Sequence, residues 1–191
     1  MQRARRLHRY TYADYVAVEF DSPTRHEFLD GEIYAMAGGS EDHSTLATEV
    51  VAALVIATRG RPCKAHTSDM RIYVEACGLA TFPDASVICG ALQQHPPSPV
   101  STALNPSILV EVTSDSSEDY DTGTKLECYR TIPSLREYIV VSHRERRITV
   151  HRRAEHGDWT SYVAITAGRV MVESVGLELR VDEIYRNSSI V

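Results

Sequence analysis

The run "SILVEVTS", residues 107–114, limits the fold more than any other stretch of the chain. Apart from Glu111 it is apolar on both faces of an extended strand, and such strands belong in the middle of a sheet covered on both sides. "REYIVVS", residues 136–142, has the same character. With helical stretches before and between them, these strands predict a mixed α/β sandwich around one sheet. Alternation places Glu111 on one face with Leu109 and Thr113, and Val110 and Val112 on the other. A carboxylate in the middle of such a strand is costly unless something compensates it.

The remaining elements follow from spacing and punctuation. Thr11 is placed to cap a short helix over 11–20, ending before "DSPT". "HEFLDGEIYAMAG", residues 26–38, reads as two strands joined at Asp30-Gly31, a strong hairpin signal. Ser40 caps a long helix in which Leu46, Val50 and Leu54 recur at four-residue spacing, and which ends near Gly60. "HTSDMRIYVE" alternates as one strand, and "CGLATFPD" turns into the strand "ASVICG". "SSEDYDTGTKLECYRTI" reads as a helix that Gly123 weakens. "RITVHRR" is a further strand, "WTSYVAITAGRVMVES" gives two outer strands with a turn at Ala167-Gly168, and "RVDEIYRN" gives a closing helical turn.

A length of 191 residues fits one domain with a sizeable core. The net charge of −6 argues against a general nucleic-acid-coating role, yet leaves room for a nuclease whose metal site needs carboxylates. Cys63, Cys77, Cys89 and Cys128 show no zinc-site spacing and read as buried free thiols in a reducing cytoplasm. The basic start, with Arg3, Arg5, Arg6 and Arg9, lacks the apolar segment of a signal peptide and reads as a solvated terminus. No run approaches the roughly 18 apolar residues of a membrane helix, so a cytoplasmic location is expected. The proline-rich loop 91–106 is long enough to carry function.

Asp84 opens a strand behind Pro83, Glu111 interrupts the most apolar strand, and Lys125 lies on the helix after it. Taken singly, Asp84 is a turn residue satisfied by backbone N–H groups. Glu111 has Arg71 or Arg130 as possible ion-pair partners, and Lys125 pairs with Asp121 on a solvated helix face. Taken together, two carboxylates suit Mg²⁺, and a nearby lysine can orient or deprotonate water or stabilise charge on phosphorus.

This arrangement resembles the PD-(D/E)XK, restriction-endonuclease-like superfamily, and more closely its Uma2-type endonuclease group. The likeness covers about residues 10–186, through "YTYADY", "RHEFLDGEIYAMAGGSEDH", "FPDASVI", "NPSILVEVTSDSSEDYDTGTKLECYR" and "PSLREYIVV". It implies a single restriction-endonuclease-like domain over 1–191, with a mixed β-sheet core at about 40–152, an N-terminal helix–hairpin and extra C-terminal edge strands. It also implies a metal-dependent DNA endonuclease in which Asp84 and Glu111 hold Mg²⁺ or Mn²⁺ and leave a 5′-phosphate. The superfamily lysine two residues after the second acid is Thr113 here; in the Uma2-like group it moves to the next helix, which gives Lys125. An extra acid from the N-terminal elements is Glu32 by local motif or Glu49 by helix position, with Glu32 preferred.

His43, at the start of the long helix, is placed to bind phosphate, though a capping or core-edge role outweighs that reading. Ser114 caps the next helix in preference to binding phosphate, and "GGS", residues 38–40, is a weak anion cradle. The resemblance also implies a homodimer as one option, since homodimers are common in that superfamily, and the edge strands near 159–173 offer a pairing surface. The alternative function is an inactive nucleic-acid-binding or protein-interaction module of the same fold, favoured by the net charge and by Thr113. A metal hydrolase acting on another substrate ranks last.

Overall fold

The computed structural model describes residues 9–36, 38–95 and 101–191. Helix α1 (Tyr12–Asp21) leads into strands β1 (His26–Leu29) and β2 (Glu32–Ala35), followed by helix α2 (Glu41–Thr58). Next come β3 (Cys63–Thr67), β4 (Arg71–Val74), β5 (Leu79–Thr81), β6 (Ala85–Cys89), β7 (Thr102–Ala103) and β8 (Ile108–Val112). A π turn (Tyr120–Lys125) runs into the short helix α3 (Leu126–Tyr129). Strands β9 (Glu137–Val141), β10 (Arg147–Arg153), β11 (Trp159–Ile165), β12 (Arg169–Val172) and β13 (Leu177–Arg180) precede the closing turn α4 (Val181–Ile184).

The two apolar runs lie side by side as β8 and β9, parallel and fully buried, inside a six-stranded sheet ordered β11-β10-β9-β8-β6-β3. A parallel pair needs a crossover, and the segment carrying the π turn and α3 supplies it. One face of β8, with Ile108, Val110 and Val112, packs under Leu46, Val50 and Leu54 of α2. Each such side chain contributes about 1.5–3 kcal/mol when removed from water. The other face, with Leu109, packs under Leu126 and Tyr129 of α3 together with Tyr138 and Val140. Glu111 lies on that second face, as alternation requires.

Local signals set the N-terminal elements. Thr11 caps α1 in a reciprocal capping box with Asp14, and the Ser40 side chain accepts from the His43 N–H to start α2. Asp30 and Gly31, at φ 45° and 85°, form the two-residue hairpin turn. The hairpin does not join the central sheet, however. It belongs to a second, five-stranded sheet ordered β2-β1-β5-β4-β7, so the expected single sheet is two, and β12 with β13 makes a third small one. "HTSDMRIYVE" is likewise two strands in different sheets, because the chain turns at Ser68-Asp69 between β3 and β4.

The cysteines also depart from expectation. Cys63 and Cys89 face each other across β3 and β6 and are bonded, and Cys77 bonds Cys128 of α3, leaving none free. This withdraws the cysteine-based argument for a reducing compartment. Among the described residues no helix is long and apolar enough to cross a membrane. Of the basic start only Arg9 is described, paired with Asp30 at 3.0 Å; residues 96–100 of the proline-rich loop are likewise outside the described residues.

Candidate active site

Three elements deliver carboxylates to one lysine. Lys125 Nζ lies 2.9 Å from Glu27 Oε1 of β1, 3.0 Å from Glu111 Oε1 of β8 and 3.2 Å from Asp121 Oδ1 on its own π turn. The lysine is 4 % exposed, not solvated as its i, i+4 spacing to Asp121 implied. The π geometry goes with this placement, since Asp121 and Lys125 are the two residues of the wider turn that are buried. Tyr129 of α3 donates its hydroxyl to Glu111 Oε1 at 2.7 Å, and Thr81 of β5 donates to Glu27 Oε1. Neither Arg71 nor Arg130 pairs with Glu111: Arg71 Nε bonds the Thr102 hydroxyl and Arg130 pairs with Glu127.

Asp84 stands beside this cluster, before β6. Its Oδ2 accepts the Val112 N–H at 2.7 Å, so the backbone satisfaction expected of a residue behind proline is present. The same oxygen lies 3.4 Å from His43 Nε2. His43 therefore reaches the site from the first turn of α2. A Cβ on Gly39 would sit 2.6 Å from His43 Nδ1, so the "GGS" segment makes room for this ring. Ser114 does not cap the helical segment that follows: its N–H donates to Ser117 Oγ at 3.1 Å, and the π turn starts after Asp119 with no side-chain cap.

The two weaker acidic candidates lie elsewhere. Glu49 accepts from Asn187 Nδ2 at 2.7 Å on the surface. Glu32 accepts from the Tyr34 hydroxyl at 2.6 Å on the outer strand β2. Glu27, absent from the sequence reading, takes the place given to Glu32. The register pairs Glu27 with Tyr34 and Leu29 with Glu32, so both acids share a face, but β1 is the arm next to β5. The available signal was that hairpin alternation, which puts Glu27 on the same face as Glu32.

The electrostatics are those of a negative surplus. Burial pushes the Glu111 carboxyl well above its usual range, against the pull of Lys125, with Asp121, Asp84 and Glu27 adding to the rise. Asp121 is raised for the same leading reason. Burial alone would lower Lys125, but Glu111, Glu27 and Asp121 raise it well above the ordinary lysine value. His43 is raised, first by its hydrogen bond to Asp84. Glu137 provides the contrast: fully buried, it is surrounded by donors from Arg152 Nε, Ser174 Oγ and the backbone N–H groups of Glu173 and Ser174. Around Lys125 the acceptors Glu27, Glu111 and Asp121 outnumber the cation, with Asp84 close enough to raise Glu111.

Hard oxygen donors in negative excess fit a divalent cation such as Mg²⁺, which takes one or two carboxylates and keeps its waters. Asp84 and Glu111 suit this by donor type. Among the described residues no three His, Cys, Asp or Glu side chains form a ready-made metal cage. The site opens into a cleft of about 1590 Å³ that Glu27, His43, Asp84, Glu111, Asp121 and Lys125 all line.

The crossover-linked mixed sheet defines the fold class, and a solved structure shares it. A crystal structure described as "a putative nuclease belonging to DUF820 from Anabaena variabilis" superposes with a TM-score of 0.71 at 18% identity, covering 90% of this chain and 97% of that one. The restriction-endonuclease-like fold is thus established. The profile of the family Uma2, described as "Putative restriction endonuclease", matches residues 12–182. The chain belongs to the Uma2 family. Among its relatives, the uncharacterised Synechocystis sp. protein slr1290 is 32% identical over 91% of this chain and 90% of its own. A second from the same organism, sll1609, is 30% identical over 78% and 84%.

Proposed function

We propose that this chain is a metal-dependent endonuclease that hydrolyses DNA phosphodiester bonds in the cleft above β8. The observation that carries the reading is the meeting of Lys125 with Glu111 and Glu27, although position 113 holds threonine. Asp84 and Glu111 would hold Mg²⁺ or Mn²⁺. The bound cation supplies Lewis-acid polarisation of a phosphoryl oxygen and a more acidic water.

The chain's own residues do the rest. Val112 N–H fixes the Asp84 carboxylate, and Tyr129 fixes that of Glu111, so neither must reorganise when substrate arrives. Lys125 is an ammonium tethered by carboxylates from two sheets. In this role it orients the attacking water and offsets charge developing on the phosphoryl oxygens. His43, hydrogen-bonded to Asp84, keeps that carboxylate turned into the cleft.

The test is nicking of supercoiled and single-stranded DNA with Mg²⁺ or Mn²⁺. Asp84→Ala, Glu111→Ala and Lys125→Ala, each checked for folding, should lose about a hundredfold or more. Glu49→Ala should cut like wild type. Loss in the carboxylate variants alone would keep the metal and dismiss Lys125.

A second reading, an inactive binding module, has one observation in its favour. Asp115 joins the site carboxylates in lining the cleft, where Arg25 and Lys125 are the only lysine or arginine among the described residues. Absence of cleavage by wild type on every substrate, with no metal-binding heat by calorimetry, would move the assignment to that module.

A further inference from the structure

Beyond the Glu111 cluster, the loops after β8 and β9 form a second constellation at the margin of the same cleft. Asp115, with its side chain 88% exposed, places one oxygen, Oδ1, 3.1 Å from His143 Nε2 and 3.1 Å from Arg144 Nη2. Each donor is held from behind. Arg144 Nε donates to Glu118 Oε2 at 2.6 Å, which fixes one edge of the guanidinium.

His143 is fixed by Thr113. The Thr113 oxygen accepts the His143 backbone N–H at 3.1 Å, and its hydroxyl lies 2.7 Å from Nδ1 but 3.4 Å from the Val141 carbonyl. These two contacts to Thr113 orient the ring so that Nε2 faces Asp115, and because an ionised carboxylate only accepts, Nε2 is the donor in that pair. Thr113 cannot supply the superfamily lysine, but it points a neighbouring donor outward.

Two pre-aimed donors sharing one carboxylate oxygen present the geometry that a phosphodiester oxygen requires. Thr113, Ser114, Asp115, Ser116 and His143 all line the cleft into which Glu111 opens. An exposed ion pair is weakly held, so an incoming phosphate can displace Asp115. The geometry points to an anion-binding corner, made by His143 and Arg144 and positioned by Thr113, that takes a backbone phosphate of DNA and that the Asp115 carboxylate fills when DNA is absent. This rests on the nucleic-acid reading of the cleft and adds to it a place for the strand and a built-in competitor. It also gives the acidic cleft its missing phosphate contacts.

The test is fluorescence anisotropy with a fluorescein-labelled DNA duplex in EDTA, so that cleavage does not intervene, across a salt titration. Asp115→Asn should tighten binding about threefold, the scale of one exposed ion pair. Arg144→Ala and His143→Ala should weaken it, and Arg144→Ala should lower the slope of log affinity against log salt by about 0.9. Combined with Arg144→Ala and His143→Ala, the Asp115→Asn change should bring no gain. Thr113→Ser should bind as wild type and Thr113→Val as His143→Ala.

Asp158→Asn, in the turn before β11, reports general charge. An equal gain there, or wild-type binding and slope in Asp115→Asn and Arg144→Ala, would overturn the corner while leaving the nuclease reading intact. No binding by any protein of the set, with no nicking by wild type, would remove both.

Discussion

Lys125 is held by carboxylates that reach it from β1, from β8 and from its own π turn, and its removal leaves them facing one another. Losing one partner of a buried ion cluster costs about 3–5 kcal/mol, because the remaining charges have no compensation. Lys125→Met is expected to lose that much by urea unfolding in metal-free buffer at about pH 8. The pH dependence has a definite sign. Glu111 and Asp121 are raised in the folded protein, so the folded state binds more protons than the unfolded state. Their contribution is fully present below the unfolded carboxylate value and is lost as pH rises through the folded one. Without the ammonium these carboxyls rise further, so the deficit of Lys125→Met should shrink at about pH 5.5. A deficit that stays constant or grows on acidification would contradict the charge account. The sequence showed Glu111 and Lys125 as candidates by strand position and family order. It did not show that Lys125 is buried, because an Asp121–Lys125 spacing looks the same on a wet helix. Nor did it separate Glu27 from Glu32, since which hairpin arm lies inward is decided by pairing with β5, a contact distant in sequence.

At the scale of the element, the π turn is the segment that the sequence described least well. Helical periodicity over "SSEDYDTGTKLECYRTI" was legible, and so was the weakness at Gly123. The extra residue per turn was not, because it satisfies the core through Leu126 and Tyr129 and the site through Asp121 and Lys125 at once. Gly123 itself is not required by space or handedness. A Cβ there meets nothing within 4 Å, and its φ is not positive. Gly123→Ala should therefore raise stability by about 0.5–1 kcal/mol, from lost freedom of the unfolded chain. Thermal unfolding would measure this, and any DNA nicking should be unchanged. A fall in stability would mean that the wide turn depends on glycine. The strand pair β3 and β4 was lost for a different reason: period-two alternation continues through the Ser68-Asp69 turn, and alternation carries no record of which sheet a strand joins. The hairpin at Asp30-Gly31, the caps Thr11 and Ser40 and the central pair β8–β9 were legible because each rests on local chemistry or on burial of both faces.

At the scale of the molecule, the two larger sheets are interleaved along the chain. β3 lies in the six-stranded sheet, β4 and β5 in the five-stranded one, β6 back in the first, β7 in the second and β8 in the first again. No single cut separates them. They are also tied through chemistry, by the Cys77–Cys128 bond from the turn after β4 to α3 and by Lys125 between Glu27 and Glu111. A unit that must order both sheets to complete either is expected to unfold in one step. Trp159, the chain's one tryptophan, sits on β11 at the far edge of the six-stranded sheet, against Arg153 and Arg130. Its fluorescence reports that sheet, whereas far-UV circular dichroism reports both. In a urea titration of the oxidised protein the two curves should coincide, and they should separate if the hairpin sheet melts first. Coincidence has a consequence for the site. Glu27 comes from one sheet and Glu111 from the other, so the cluster around Lys125 exists only while both are folded, and loss of the site should track the same midpoint.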